Sequence, residues 1–133
     1  MSLTDIEREY IATQRLGRLA TVGPDGDPQN NPVGFRYNAD TGTFDIRGFN
    51  LPQSRKYRNV QRNGRAALVI DDLASVQPWR VRGIEVRGRA ETLVEDDPEA
   101  SHFGADLIRI HPRTIFSWGI DPAADGMIKR TVA

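Results

Sequence analysis

Three short β-like segments, joined by tight turns, leave the chain little choice of architecture over residues 18–47. Residues 18–22 (RLATV) have the composition of a strand. Pro24-Asp25-Gly26 then turns the chain, because Pro fixes φ at its first position and Gly tolerates positive φ at its last. A second strand is expected over residues 29–37, a turn over Asn38-Ala39-Asp40-Thr41-Gly42, and a third strand over residues 43–47. Parallel neighbours need a crossover of a dozen or more residues, so strands joined this closely form an antiparallel meander.

The same reading extends along the chain. Thr4 and Glu7 have capping-box spacing, and Ile6, Tyr10 and Ile11 fall on one side of a helix running to about residue 15. Ser54 is a good N-cap for a short cationic helix, Arg55 to Asn63, which Gly64 closes. Residues 66–70 (AALVI) read as a buried strand ending at Asp71-Asp72, with a loop at 73–78. Residues 79–93 form a long β stretch in which Gly83 and Gly88 are expected to mark bulges or bends. Asp96 to Glu99 open a short helical or irregular segment. Residues 107–111 and 114–118 are the last two strands, and a tail starts at Asp121. Six or seven antiparallel strands with two brief helices predict a mainly β chain closed into a barrel, since closure removes exposed strand edges. A length of 133 residues suits one domain spanning 1–133, long enough to fold without staples.

Composition removes several classes of function. There is no Cys, hence no disulfide, thiolate metal site or Cys nucleophile. No apolar run approaches the ~18 residues of a membrane span, and MSLTDIEREY is too acidic and polar for a signal peptide. The expectation is a soluble cytoplasmic protein that does not engage a membrane. The 18 basic and 18 acidic side chains balance, whereas a general nucleic-acid binder shows a basic excess. The balance is uneven along the chain. Between Arg47 and Arg65 lie Arg55, Lys56, Arg58 and Arg62, with no Asp or Glu. A local cationic stretch in a neutral protein points to a small anionic ligand.

The helix that starts at Ser54 is the best candidate site. A helix start offers unpaired N–H groups and partial positive charge, both suited to a phosphate, and Lys56 and Arg58 add full charges. An ordinary solvated basic helix has the same composition. In Asn30-Asn31-Pro32-Val33-Gly34-Phe35, Pro32 removes a ladder donor and Gly34 lets a flat ring come close; a bulged edge strand explains the pattern equally. Trp79 begins a strand where an indole can flank a planar ring, although such residues more often serve a core or interface. His102 and His111 lack metal-ligand spacing, so no metal site is expected, and neither joins a nucleophile–base arrangement. No G-x-G-x-x-G and no Walker loop is present. An enzyme built from these parts needs chemistry borrowed from a cofactor.

Five blocks in order, LATVGPDGDPQNNPV, DIRG, SRKYRNVQRNGRAALVIDD, PWRVRGIEVRGRAE and IRIHPRTIFSWGI, resemble the pyridoxamine-phosphate-oxidase-like split β-barrel proteins. More closely, they resemble the deazaflavin (F420)-dependent branch. The resemblance covers residues 16–120. It implies a Greek-key-like split barrel and a homodimer with cofactor sites between subunits. Lys56, Arg58 and Asn59 match the K-x-R-N positions that hold the cofactor phosphate, and Ser54 stands where relatives often carry Thr or Arg. Asn31, Pro32 and Val33 match the strand under the ring system, and Arg47 and Gly48 the strand end beside the ribityl chain. Trp79 matches a residue presented by the partner subunit, and Trp118 lies on a strand that lines the site. The implied activity is hydride transfer from F420H2 to a small conjugated or quinone-like acceptor. No catalytic proton donor stands out, Tyr57 and Arg80 being the conceivable ones. FMN shares the ribityl phosphate and is the alternative cofactor. A non-catalytic binder of flavin, deazaflavin or haem is the alternative class, because one fold hosts many activities.

Overall fold

The computed structural model describes residues 2–132. Helix α1 (Asp5–Ile11) leads into β1 (Leu16–Val22), β2 (Pro28–Gly34), β3 (Arg36–Asn38) and β4 (Thr43–Ile46). A short helical turn (Leu51–Gln53), α2 (Arg55–Asn63), β5 (Arg65–Ser75) and β6 (Arg80–Val94) follow. A strap containing the turn Pro98–Phe103 then leads to β7 (Asp106–Trp118) and β8 (Ile128–Thr131). The eight strands form one sheet in the order β2-β1-β5-β6-β7-β4-β3, with β8 also on β7. Every pairing is antiparallel. This is the expected mainly β, split-barrel architecture.

Strand β6 borders β7 along nearly its whole length. The other side of β7 is divided, with β4 beside residues 108–110 and β8 beside residues 114–117. Inward side chains from both halves build the core. Leu19, Phe44, Ile46, Leu68, Ile70, Ile84, Val86, Ile108, Ile110 and Ile115 are all at most 1 % exposed. Each such side chain contributes about 1.5–3 kcal/mol relative to exposure.

Several local expectations need correction. The segment read as one strand over 29–37 changes partner at Phe35. Residues up to Gly34 pair with β1, and Arg36 onward pairs with β4, at the opposite end of the strand order. The last two strands are one. Strand β7 runs through Pro112, and its extra residue, Arg113, is absorbed as a bulge opposite Arg87 and Gly88. That bulge satisfies Pro112, which lacks an N–H, and it flips the inward parity from Ile108 and Ile110 to Ile115 and Ser117. Gly88 is obligatory there, because a Cβ would sit 1.9 Å from the His111 carbonyl oxygen. Gly83 marks no register shift. Instead the Trp118 indole lies across it, within 2.5 Å of where a Cβ would be.

Helix α1 stops at Ile11, short of residue 15, and Ile6 is 39 % exposed. The side that packs inward carries Glu7, Tyr10 and Ile11. Glu7 can be buried because its carboxylate meets both the Thr4 N–H of the capping box and the Arg130 guanidinium. Strand β5 runs on to Ser75, with Ala74 bulged out, so the loop expected over 73–78 shrinks to a turn. The segment after Asp121, read as a tail, contains β8.

Candidate functional site

A cleft of about 430 Å³ opens where the sheet changes partner. Residues 32–36 form one wall, the end of β4 with Arg47, Gly48 and Phe49 a second, and the strap residues Asp97, Ala100 and Phe103 a third. Lys56, from the first turn of α2, and Arg15, just before β1, complete the lining. The break at Phe35 thus does local work, since it separates two strands of the sheet and leaves space between them.

Of the residues singled out from the sequence, Pro32, Val33, Arg47, Gly48 and Lys56 come together in this cleft. Asn31 lies on β2 opposite Leu19, outside the lining. Ser54 caps α2 as expected. Its Oγ accepts from the Tyr57 N–H at 3.3 Å and donates to the Leu51 carbonyl at 2.6 Å, so its proton is committed within the chain. Arg58 donates to the Gln53 carbonyl at 3.2 Å and faces a second cleft of about 490 Å³, between α2 and the β1–β2 turn. Asn59 also borders that second cleft. It is 1 % exposed, and its amide donates to Thr21 Oγ1 at 3.1 Å and Gln29 Oε1 at 3.2 Å, tying α2 to β1 and β2.

Trp79 lies at the β5–β6 turn, 67 % exposed and away from the cleft of its own chain. Trp118 packs over Gly83 and does not line the cleft. Of the conceivable proton donors, Tyr57 is buried with its hydroxyl 3.4 Å from Asp106 Oδ1, and Arg80 is exposed at the start of β6.

The structure adds lining residues that the sequence reading passed over: Arg15, Phe35, Arg36, Asp45, Phe49, Leu51, Asp97 and Phe103. Arg15 and Arg36 lie outside the acid-free stretch, and only the tertiary fold brings them in. Asp45 was hidden within a strand pattern. It is 8 % exposed and accepts from Arg109, Thr43 and Asn38. Burial alone pushes its carboxyl up, but the Arg109, Asn38 and Thr43 donors more than offset this and hold it below the ordinary value.

The free charge of the cleft is therefore positive. Asp45 is neutralised by Arg109, and Asp97 by Arg36 at 2.5 Å. Among the described residues, Arg15, Arg47 and Lys56 have no carboxylate within ion-pair distance. Two glycines keep space open. A Cβ at Gly34 or Gly48 meets nothing within 4 Å, although both residues line the cleft. Cationic groups without anionic partners, an apolar wall at Pro32, Val33 and Phe35, and two missing side chains suit a ligand with an anionic end and a flat ring. Among the described residues no cluster of three or more His, Cys, Asp or Glu could hold a metal, and no helix is long and apolar enough to cross a membrane.

Known proteins share both fold and sequence with this chain. A reductase of 5a,11a-dehydrotetracycline and 5a,11a-dehydrooxytetracycline from Streptomyces rimosus subsp. rimosus is 43 % identical over 122 residues, covering 91 % of this chain and 86 % of that protein. Among solved structures, a heme-binding protein from Mycobacterium smegmatis superposes with a TM-score of 0.72 at 18 % identity, over 98 % of this chain and 59 % of that one. An F420 reductase superposes with a TM-score of 0.59 at 24 % identity, over 77 % of this chain and 89 % of that one. At these identities the structures speak for the fold alone. Residues 3–131 match the pyridoxamine 5'-phosphate oxidase family, and the chain belongs to that family.

Proposed function

We propose that this chain is an F420H2-dependent reductase of small conjugated or quinone-like compounds. The observation that carries the reading is the meeting of Arg47 and Lys56, free of carboxylates, with the apolar Pro32–Val33 wall in one cleft. In this reading Lys56 and Arg47 hold the cofactor phosphate, and the open N–H groups at the start of α2 add to that field. The glycines at 34 and 48 leave room for the ring system and ribityl chain. When bound, the deazaflavin supplies the hydride, and the protein supplies placement and charge. The 43 % identity to a reductase supports oxidoreductase chemistry over simple storage of a cofactor.

The same proposal includes a homodimer. Leu73, Val76, Trp79 and Val81 are large apolar side chains exposed together around the β5–β6 turn. A second copy covering them would bring Trp79 to the cleft of its partner, as expected from the resemblance.

The deciding experiment is a direct comparison of cofactors. Wild type is titrated with F420, followed by its fluorescence, and separately with FMN. F420 is expected to bind more tightly, and Lys56→Ala to weaken it by about 1–3 kcal/mol, the scale of a charge-assisted hydrogen bond. Tighter FMN binding would move the assignment to a flavin enzyme of the same fold. No binding of either cofactor would end it.

A further inference from the structure

Strand pairing sets two exposed arginines directly opposite each other, Arg65 on β5 and Arg89 on β6. Like charges that face each other across an antiparallel pair destabilise it. A third exposed arginine, Arg113, is the extra residue of the bulge in β7, on the other side of β6. Bulges re-aim side chains, and this one, which requires Gly88, brings Arg113 to the same hollow as the facing pair. The hollow measures about 470 Å³ and shares no lining residue with either cleft described above. Ala66 and Ala67 give it an apolar strip, and none of its lining residues is Asp or Glu.

The fourth arginine of the lining, Arg87, is already held. Its Nε and Nη2 donate to Glu85 at 3.0 and 3.1 Å, and its guanidinium lies 4.5 Å from the centre of the Phe116 ring. The hold on Arg89 is weaker. Its Nη1 stands 3.5 Å from Glu91 Oε2, an oxygen that already meets His111 Nε2 at 2.5 Å. Among the described residues, Arg65 and Arg113 have no carboxylate within ion-pair distance. A solvated surface needs neither a facing pair of arginines nor a third one re-aimed by a bulge.

We propose that Arg65, Arg89 and Arg113 form a binding site for a small organic diphosphate, separate from the cofactor cleft and independent of the reductase reading. Each guanidinium presents a planar fork that takes two oxygens of a phosphate. A single phosphate carries at most about two negative charges, so two linked phosphates match three guanidiniums better. The ligand relieves the repulsion of the facing pair and bridges β5, β6 and β7, with the Ala66–Ala67 strip beside its organic part.

The test follows the amide NMR spectrum of the full chain without cofactor. Pyrophosphate, ADP and orthophosphate serve as probes at matched ionic strength. Amides of residues 64–67, 87–89 and 113–114 are expected to shift with pyrophosphate and ADP, and both are expected to bind at least about tenfold more tightly than orthophosphate. Arg65→Gln and Arg113→Gln should each weaken both ligands about tenfold and leave F420 affinity within about twofold, while Arg113→Lys, which lacks the fork, should restore binding only in part. Pyrophosphate shifts confined to the amides of Arg47 and Lys56, unchanged affinity in both Gln variants, or equal binding of orthophosphate overturns the proposal. A short thymidine oligonucleotide that binds more tightly than ADP and is released by Arg113→Gln overturns it in favour of a nucleic-acid face. No pyrophosphate binding by wild type, with loss of self-association in both Gln variants, overturns it in favour of carboxylates from a second copy. Failure of F420 to bind would instead overturn the reductase reading and leave this titration decisive for the arginines. Thermal melts of the variants show whether a loss comes from unfolding.

Discussion

Arg109 grips Asp45 with two hydrogen bonds of equal length, Nε to Oδ1 and Nη2 to Oδ2, both 2.9 Å. The pair joins β7 to β4 under the cleft, and Arg109 also reaches Glu95 at the foot of the strap, Nη1 to Oε2 at 2.9 Å. Both members of the pair are 8 % exposed. Removing Asp45 leaves the buried Arg109 with Glu95 as its remaining carboxylate, so Asp45→Asn is expected to cost about 2 kcal/mol in urea denaturation. A loss below about 1 kcal/mol would mean that water reaches the pair and screens it.

Two of the carboxylates held below their ordinary range, Asp72 and Asp45, contribute to the acid sensitivity of the fold. Asp72 is pulled down to about 2, first by Arg82, whose Nε and Nη2 donate at 2.7 and 2.9 Å, with burial opposing and Gln14 and Tyr10 assisting. Asp45 is also held low. In the unfolded chain both titrate near about pH 4, so as the pH falls the unfolded state takes up the proton first. Their stabilisation is therefore complete above about pH 4 and is lost below it, for Asp72 as the pH falls towards about 2. Asp72→Asn is expected to remove about 1–2 kcal/mol at neutral pH and to flatten the acid side of the stability curve. Thermal melts from neutral pH to about pH 2.5 check this. Parallel curves for mutant and wild type would show that Asp72 contributes nothing to acid sensitivity.

Two glycines should respond in opposite ways to a side chain. At Gly48 a Cβ meets open space in the cleft, so Gly48→Val should melt like wild type and lose cofactor binding at least tenfold by obstruction. At Gly88 a Cβ collides with the His111 carbonyl oxygen, and Gly88→Ala should cost more than about 2 kcal/mol by forcing the bulge apart. A Gly48→Val protein that binds F420 normally would remove this cleft from consideration.

The exposed indole is expected to act across chains. Light scattering should report a particle of twice 14.9 kDa for wild type. Trp79→Ala should weaken self-association and cofactor binding together, since hot-spot aromatics carry much of an interface. Loss of cofactor affinity with an intact dimer would place Trp79 at the ring alone. A monomeric wild type would contradict the shared site.

What could be read from the sequence followed the range of the forces involved. The tight turns, both N-caps and the Gly64 helix stop are local, and the structure has them where composition put them. The break at Phe35 was not legible, because the residues on either side look equally extended and differ only in which distant strand they meet. The bulge at Arg113 was read as a gap between strands, since Pro112 looks the same at a break as at a bulge. For the cleft, Lys56 and Arg47 were found because they share an acid-free stretch. Arg15, Arg36 and Phe49 needed the fold, because nothing near them in the sequence signals a common cavity. Asn59, matched by resemblance to a phosphate-holding position, borders the second cleft while its amide is bonded to Thr21 and Gln29, two long-range partners that the sequence does not signal.

The divided edge of β7 separates two kinds of wear. The walls of the cleft come from β2 to β4, the segment 47–51 that follows β4, the start of α2, the strap and Arg15, and none belongs to β8. Strand β8 clings to one neighbour through residues 114–117. Changes at Lys129 and Thr131, the exposed positions of that strand, leave the walls of the cleft untouched, while each change near Phe35 alters them.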